Sequence, residues 1–272
     1  MSKATSAPPQ VFGRPATLIG HRGLGEGVVQ SQVENTLGSF LGALGCGIDW
    51  VEADVRRSCD DELFVTHDAA FPDGSFLAGI TGAQASGHGA LRISELLEAL
   101  PPTAGVMFDL KSSLEDAGRA RRSTTAALFA RAGRRHLDER PMFAASFDPA
   151  ALSHMRAESP SMPLGLTTWL RFPIGLAVAA AAHLDVQVLA VHAGSLWPST
   201  ATASVDVPAL HEVVEAVHGS HRQLLVWGPT VEQSRQLTAV GVDAMVVDDV
   251  PGQAAALAST RGGTSSDRVR PD

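Results

Sequence analysis

ATLIGHRGLGEGVVQSQVENTLGSFLGALGCGIDWVEADV, residues 16–55, reads as strand, helix and strand in succession. ATLIGH (16–21) is a short β-rich run, ENTLGSFLGALGCG (34–47) begins near an Asn and ends in glycines, and DWVEADV (49–55) returns to β character. The same rhythm continues downstream. GVMFDLK (105–111), MFAASF (142–147), PLGLTTW (163–169), VQVLAVH (186–192), QLLVWG (223–228) and DAMVVDD (243–249) bring the candidate strands to eight, with Ala/Leu-rich runs between them. Alternation predicts a parallel sheet, and eight repeats predict its closure into a (β/α)8 TIM barrel.

Within that frame the spacing predicts a helix over 113–133, closed by Gly133, and a second over 149–158 with Asp148 as N-cap and Pro149 at the first helical position. Ala69–Gly89 is rich in Gly, Ala and Ser with little periodicity, and predicts a small loop inserted after the second strand, on the rim of the motif residues. Residues 1–14 and 261–272 read as disordered tails, leaving one domain over 15–260.

Polar residues recur where these apolar strands end. They are His21-Arg22-Gly23, Glu34-Asn35-Thr36, Glu52-x-Asp54 and His67-Asp68. Residues two apart on a strand share a face, so Glu52 and Asp54 point together while Val51, Ala53 and Val55 point away. Two carboxylates side by side inside a barrel repel strongly, and an oxygen-seeking divalent cation neutralises them. Mg2+ or Ca2+ suits such donors better than Zn2+, which recruits His or Cys. The same period places Asp109 with Lys111. Two imidazoles, paired carboxylates and an arginine together are what phosphodiester cleavage around a metal requires.

LIGHRG, the ENT opening a helix, WVEADVRRSCDDELFVTHD, FDLKS, SFDPAAL, LLVWGPT and GVDAMVVDDVP, taken in order, resemble the glycerophosphodiester phosphodiesterase family from about Ala16 to Pro251. The resemblance implies that Glu52, Asp54 and Asp109 are metal ligands and that His21 and His67 are general acid and base. It further implies that Arg22 clamps the phosphate, Lys111 stabilises its charge and Glu34 adds to the metal or phosphate shell. The implied substrate is a small glycerophosphodiester: its own glycerol hydroxyl is the nucleophile that expels the alcohol, giving a cyclic phosphate that water then opens to glycerol 3-phosphate. Asp109 stands where the family usually carries Glu, one methylene longer, and the link Leu24–Val33 is longer than usual.

Phe147, His192 and Trp227 also end strands, where the rim of the site belongs, and are candidate pocket residues for the glycerol or alcohol moiety. Asp243 and Asp248 flank the eighth strand and read as turn or cap residues.

A net charge of -8 over 272 residues excludes a general nucleic-acid binder. The arginines from Arg119 to Arg135 read as a solvated helix face. The N-terminus lacks the apolar core of a signal peptide and no stretch reaches the length of a membrane span, which points to a cytoplasmic protein. Cys46 and Cys59 are too few for a disulfide framework. Two alternatives stay open at this stage: a lysophospholipase D or sphingomyelinase D type enzyme, and a metal-binding barrel without activity.

Overall fold

The computed structural model describes residues 10–111, 114–197 and 207–262. Its eight barrel strands are β1 (Thr17–Gly20), β2 (Trp50–Arg57), β3 (Gly105–Leu110), β4 (Met142–Ser146), β5 (Leu164–Thr167), β6 (Val188–His192), β7 (Gln223–Trp227) and β8 (Ala244–Val247). Each pairs in parallel with its neighbours in sequence, and β1 pairs with both β2 and β8, so the sheet closes on itself. All eight expected strands are present in the expected order.

Alternation along each strand sorts the side chains into two cores. Val51, Ala53 and Val55 of β2 face the helices with Phe108 of β3 and Phe129 of the helix Thr125–Gly133. Trp50, Met107, Phe143, Val188 and Leu225 fill the barrel interior. At the floor Trp50 lies against Gly105, where a Cβ would sit 2.2 Å from the indole, so only glycine leaves room for that ring.

The N-terminal segment changes the expected boundary. Phe12 is 3% exposed and meets the rings of Trp50 and Phe143 edge-on at 5.3 and 5.4 Å. The side chain of Gln223 fixes this segment by accepting the N–H groups of Val11 (2.6 Å) and Phe12 (3.0 Å) and donating to the Phe12 carbonyl (2.9 Å). Residues 10–14 are therefore part of the domain, correcting the tail expected over 1–14. A lone Val-Phe pair has no periodicity to announce it. Residues 1–9 and 263–272 lie outside the described residues, and the last helix, Val250–Gly262, runs to the start of the expected C-terminal tail.

The inserted segment after β2 is ordered by a small core of its own. Leu63–Val65 pairs antiparallel with β2 and with Leu91–Arg92, and Phe64, Leu77 and Ala85 are buried together beneath a 3-10 turn at Leu77–Gly79 and a short helix, Gly82–Gly87. The region expected to be one helix over 113–133 is instead two 3-10 turns, Leu114–Asp116 and Arg121–Ser123, followed by Thr125–Gly133. Gly118, at φ +76°, interrupts the run, and the Thr124 hydroxyl accepts the Ala127 N–H to start the helix. Asp148 caps Pro149–Glu158 as expected, accepting the Ala150 N–H at 2.8 Å.

Candidate active site

The interior face of β2 turns from apolar to acidic as it climbs. Trp50 at the floor is followed by Glu52 and Asp54, and Asp54 is the register partner of Asp109 on β3. The three carboxylates are buried and offer ligand oxygens that all lie within 4.8 Å of one another. They sit at the C-terminal end of the barrel, beneath a cavity of about 760 Å³ lined by His21, Arg22, Glu52, His67, Asp109 and Lys111, among others.

Two cations answer this charge. Lys111 Nζ lies 2.9 Å from Asp54 Oδ1 and 2.5 Å from Asp109 Oδ2. Arg22 Nε lies 3.3 Å from Asp54 Oδ2, and its backbone N–H donates to Glu52 Oε2 at 2.9 Å. That second contact is made possible by left-handed backbone at Arg22 (φ +50°), and Asn35 (φ +56°) donates its side-chain N–H to Asp54 Oδ2 at 2.9 Å. Non-glycine residues held in this region mark over-determined geometry.

The balance of charge divides the carboxylates. Burial, with Asp54 alongside, pushes Glu52 up to about 8. Burial would raise Asp54 as well, but Lys111 and Arg22 outweigh it and hold Asp54 below the usual range. Asp109 is raised by burial in spite of Lys111, and Lys111 is itself raised because Asp109 and Asp54 outweigh its own burial. Asp109 Oδ1 is buried without a hydrogen-bond partner among the described residues, and Asp54 Oδ1 faces the Lys111 ammonium outside hydrogen-bond alignment. Oxygen-only donors converging in this way, with one left unsatisfied, fit a hard divalent cation.

The two histidines stand at the edge of the cluster in different surroundings. His21 follows β1; its Nδ1 meets Asp248 Oδ1 at 2.5 Å and its Nε2 lies 3.9 Å from Glu52 Oε2. Burial lowers its basicity, yet Asp248 and Glu52 reverse this and raise it overall. His67 is on the inserted segment, 40% exposed, with Nδ1 2.9 Å from Asp68 Oδ1. Its carbonyl accepts Arg56 Nε at 2.8 Å, and Arg56 also pairs with Glu115. Arg56 continues the Glu52–Asp54 face, so the same two-residue period could have found it.

Glu34 is brought to Arg22 rather than to the main cavity. It accepts the guanidinium at 2.8 Å and also the Gly27 N–H, so it buttresses Arg22. Phe147, His192 and Trp227 do line the cavity and are joined by Trp169, which sequence reading missed. Phe147 stacks on Trp169 at 4.1 Å, and Trp227 stands edge-on to both Phe147 (6.0 Å) and His192 (4.3 Å). His192 Nδ1 accepts the Gly194 N–H, and burial lowers its pKa. Asp243 is structural, accepting His218 Nε2 at 2.7 Å and the Leu224 N–H at 2.8 Å. Asp248, expected in a turn or cap, instead faces His21.

The glycerophosphoryl diester phosphodiesterase family model matches residues 21–99 and 92–251, nearly the whole barrel. The chain belongs to this family. It is thereby a phosphoric diester hydrolase, as its ordered motifs implied. Solved structures share the fold. A Silicibacter pomeroyi DSS-3 protein provisionally named a glycerophosphoryl diester phosphodiesterase superposes with TM-score 0.73 at 24% identity, covering 92% of this chain and 96% of that one. A glycerophosphodiester phosphodiesterase from Parabacteroides distasonis ATCC 8503 gives 0.72 at 18%, covering 91% and 98%. An Oleispira antarctica phosphodiesterase, in complex with the product sn-glycerol-3-phosphate, gives 0.69 at 22%, covering 89% and 96%. No curated protein matches the chain. No helix among the described residues is long and apolar enough to cross a membrane.

Proposed function

We propose that this family member hydrolyses small glycerophosphodiesters in a metal-dependent reaction, releasing glycerol 3-phosphate and an alcohol. The observation that carries the reading is the convergence of His21, His67, Glu52, Asp109 and Lys111 on one cavity at the C-terminal end of the barrel, with Asp54 buried beside them. The bound product of the Oleispira antarctica enzyme supports the same product here.

Glu52, Asp54 and Asp109 would hold the cation, Mg2+ or Ca2+. When bound it neutralises the carboxylates and polarises the phosphate oxygens. Arg22, fixed by Glu34 and Asp54, presents a guanidinium to the phosphate, and Lys111 adds a second positive charge. His21 and His67 share the proton transfers: one takes a proton from the attacking glycerol hydroxyl while the other gives one to the departing alkoxide, and in the second step, with these roles exchanged, water opens the cyclic phosphate to glycerol 3-phosphate. Each transfer contributes about 10²- to 10⁴-fold. Phe147, Trp169, His192 and Trp227 form the wall against which the carbon part of the substrate would rest.

The test is release of glycerol 3-phosphate by metal-stripped protein, with Mg2+ or Ca2+ restored, from glycerophosphocholine, glycerophosphoethanolamine and glycerophosphoglycerol, beside His21→Ala and His67→Ala. Release that needs the metal and falls about 100-fold or more in each variant supports the reading. Release indifferent to metal or to both histidines contradicts it. A lysophospholipid diester is a second reading, favoured by exposed Trp169 and Leu170 at the mouth. It requires rates that rise with acyl-chain length.

A further inference from the structure

We infer that Asp248 is the positioning residue of His21, holding the imidazole with Nδ1–H on its carboxylate and Nε2 turned to the carboxylate cluster. The inference rests on the proposed part of His21 in proton transfer.

The contact is direct, 2.5 Å from His21 Nδ1 to Asp248 Oδ1, while Nε2 faces Glu52 Oε2 at 3.9 Å. An ionised carboxylate only accepts, so the hydrogen between the two lies on Nδ1 and Nε2 is the nitrogen left to exchange a proton with substrate. Asp248 follows β8, a place where aspartate commonly begins a turn or caps a helix. Here capping belongs to its neighbour: Asp249 Oδ1 accepts the Gly252 N–H at 3.0 Å, in the first turn of the last helix. Burial would raise the Asp248 carboxyl, but His21 and the nearby Glu26 N–H outweigh it and hold it below the usual range.

The backbone holds the pair in register. His21 N–H donates to the Val247 carbonyl at 3.1 Å and Val250 N–H to the Leu24 carbonyl at 3.2 Å, on either side of the Asp248 contact. Gly25 lets the two segments touch, for a Cβ there would lie 1.6 Å from the Asp248 carbonyl oxygen. The loops after β1 and β8 are thus one unit, and the ring has a fixed orientation before substrate arrives. His67 has no comparable support. Its partner Asp68 is adjacent in sequence and 81% exposed, where an ion pair contributes little.

The experiment is a double-mutant cycle on the metal-loaded full chain, with whichever of the three glycerophosphodiesters turns over fastest. Asp248→Ala is expected to lower kcat at least about tenfold with KM within about twofold, and to add nothing when His21 is already Ala, because the two act as a unit. Normal turnover in Asp248→Ala overturns the inference, and so does a loss that multiplies with that of His21→Ala, which would mark a role in folding alone. Normal turnover in His21→Ala removes the role of His21 and the inference with it, and a large loss there beside normal Asp248→Ala turnover sinks the inference alone. Nitrogen NMR of ¹⁵N-histidine-labelled wild-type protein, with His21 assigned by its absence in His21→Ala, gives a reading that survives misfolding of Asp248→Ala. A protonated Nδ1 with a strongly deshielded proton is expected, and a bare Nδ1 overturns the inference.

Discussion

Asp54 and Asp109 are register partners on adjacent strands, and one ammonium, that of Lys111, serves both. In the absence of metal that lysine is the chief counter-charge of the cluster. Removing one partner from a buried ion pair leaves the other charge uncompensated, at a cost of about 3–5 kcal/mol. Lys111→Met is expected to destabilise the metal-free protein by about 3 kcal/mol, and to do so less when Mg2+ or Ca2+ is present. Denaturant unfolding with and without chelator measures both, and equal losses in the two conditions would refute the shared-cation account.

Glu52 gives the metal-free protein a pH dependence of stated sign. Its folded pKa, pushed up to about 8 by burial and Asp54, exceeds its ordinary value of 4.5, so the native state holds the proton more tightly than the unfolded chain. Between those two values stability falls as pH rises, and below 4.5 this contribution is fully present. Thermal unfolding in chelator should show the decline from pH 5 to 8, to which Asp109 and His21, both also raised, add in the same sense, and Glu52→Gln should make it shallower. Metal affinity should climb over the same window, since ligation needs the carboxylate.

Phe12 joins the N-terminal segment to the barrel floor. Phe12→Ala empties a site between Trp50 and Phe143 and is expected to cost about 3–5 kcal/mol. Turnover per folded molecule should remain normal, because the floor lies at the opposite end of the barrel from the carboxylates. A loss of stability below about 1 kcal/mol would show that the segment is only draped there.

Trp227 and Phe147 line the cavity, and in the proposed reading they serve as a wall for the substrate rather than a proton path. Trp227→Ala is expected to raise KM about tenfold or more, with pH dependence of kcat unchanged. Steady-state kinetics across pH separates the two, and a shifted pH profile would give the ring a part in the chemistry.

The barrel was legible because eight short strands recur between helical runs, and the acidic cluster because Glu52 and Asp54 share a strand face two residues apart. Lys111 and Asp109 followed from the same period. What escaped the sequence depends on contacts remote along the chain. Asp248 lies far from His21 in sequence and meets it only when β8 closes against β1. Trp169 lies just beyond the last residue of β5, and its stacking on Phe147 is a product of barrel closure. Phe12 is one aromatic residue in a polar segment, with its partner Gln223 on the seventh strand. From the sequence Glu34 reads as an addition to the metal or phosphate shell; in the fold a left-handed Asn35 and the short hairpin of Val28–Val29 with Gln32–Val33 turn it toward the Arg22 guanidinium.

The central claim concerns which ester bond breaks. Phosphorus NMR of glycerophosphoethanolamine incubated with metal-loaded protein follows substrate and products in one spectrum. Growth of the glycerol 3-phosphate signal, abolished by chelator and restored by Mg2+ or Ca2+, is the predicted result. Phosphoethanolamine in its place, or growth undiminished by chelator, would contradict the account.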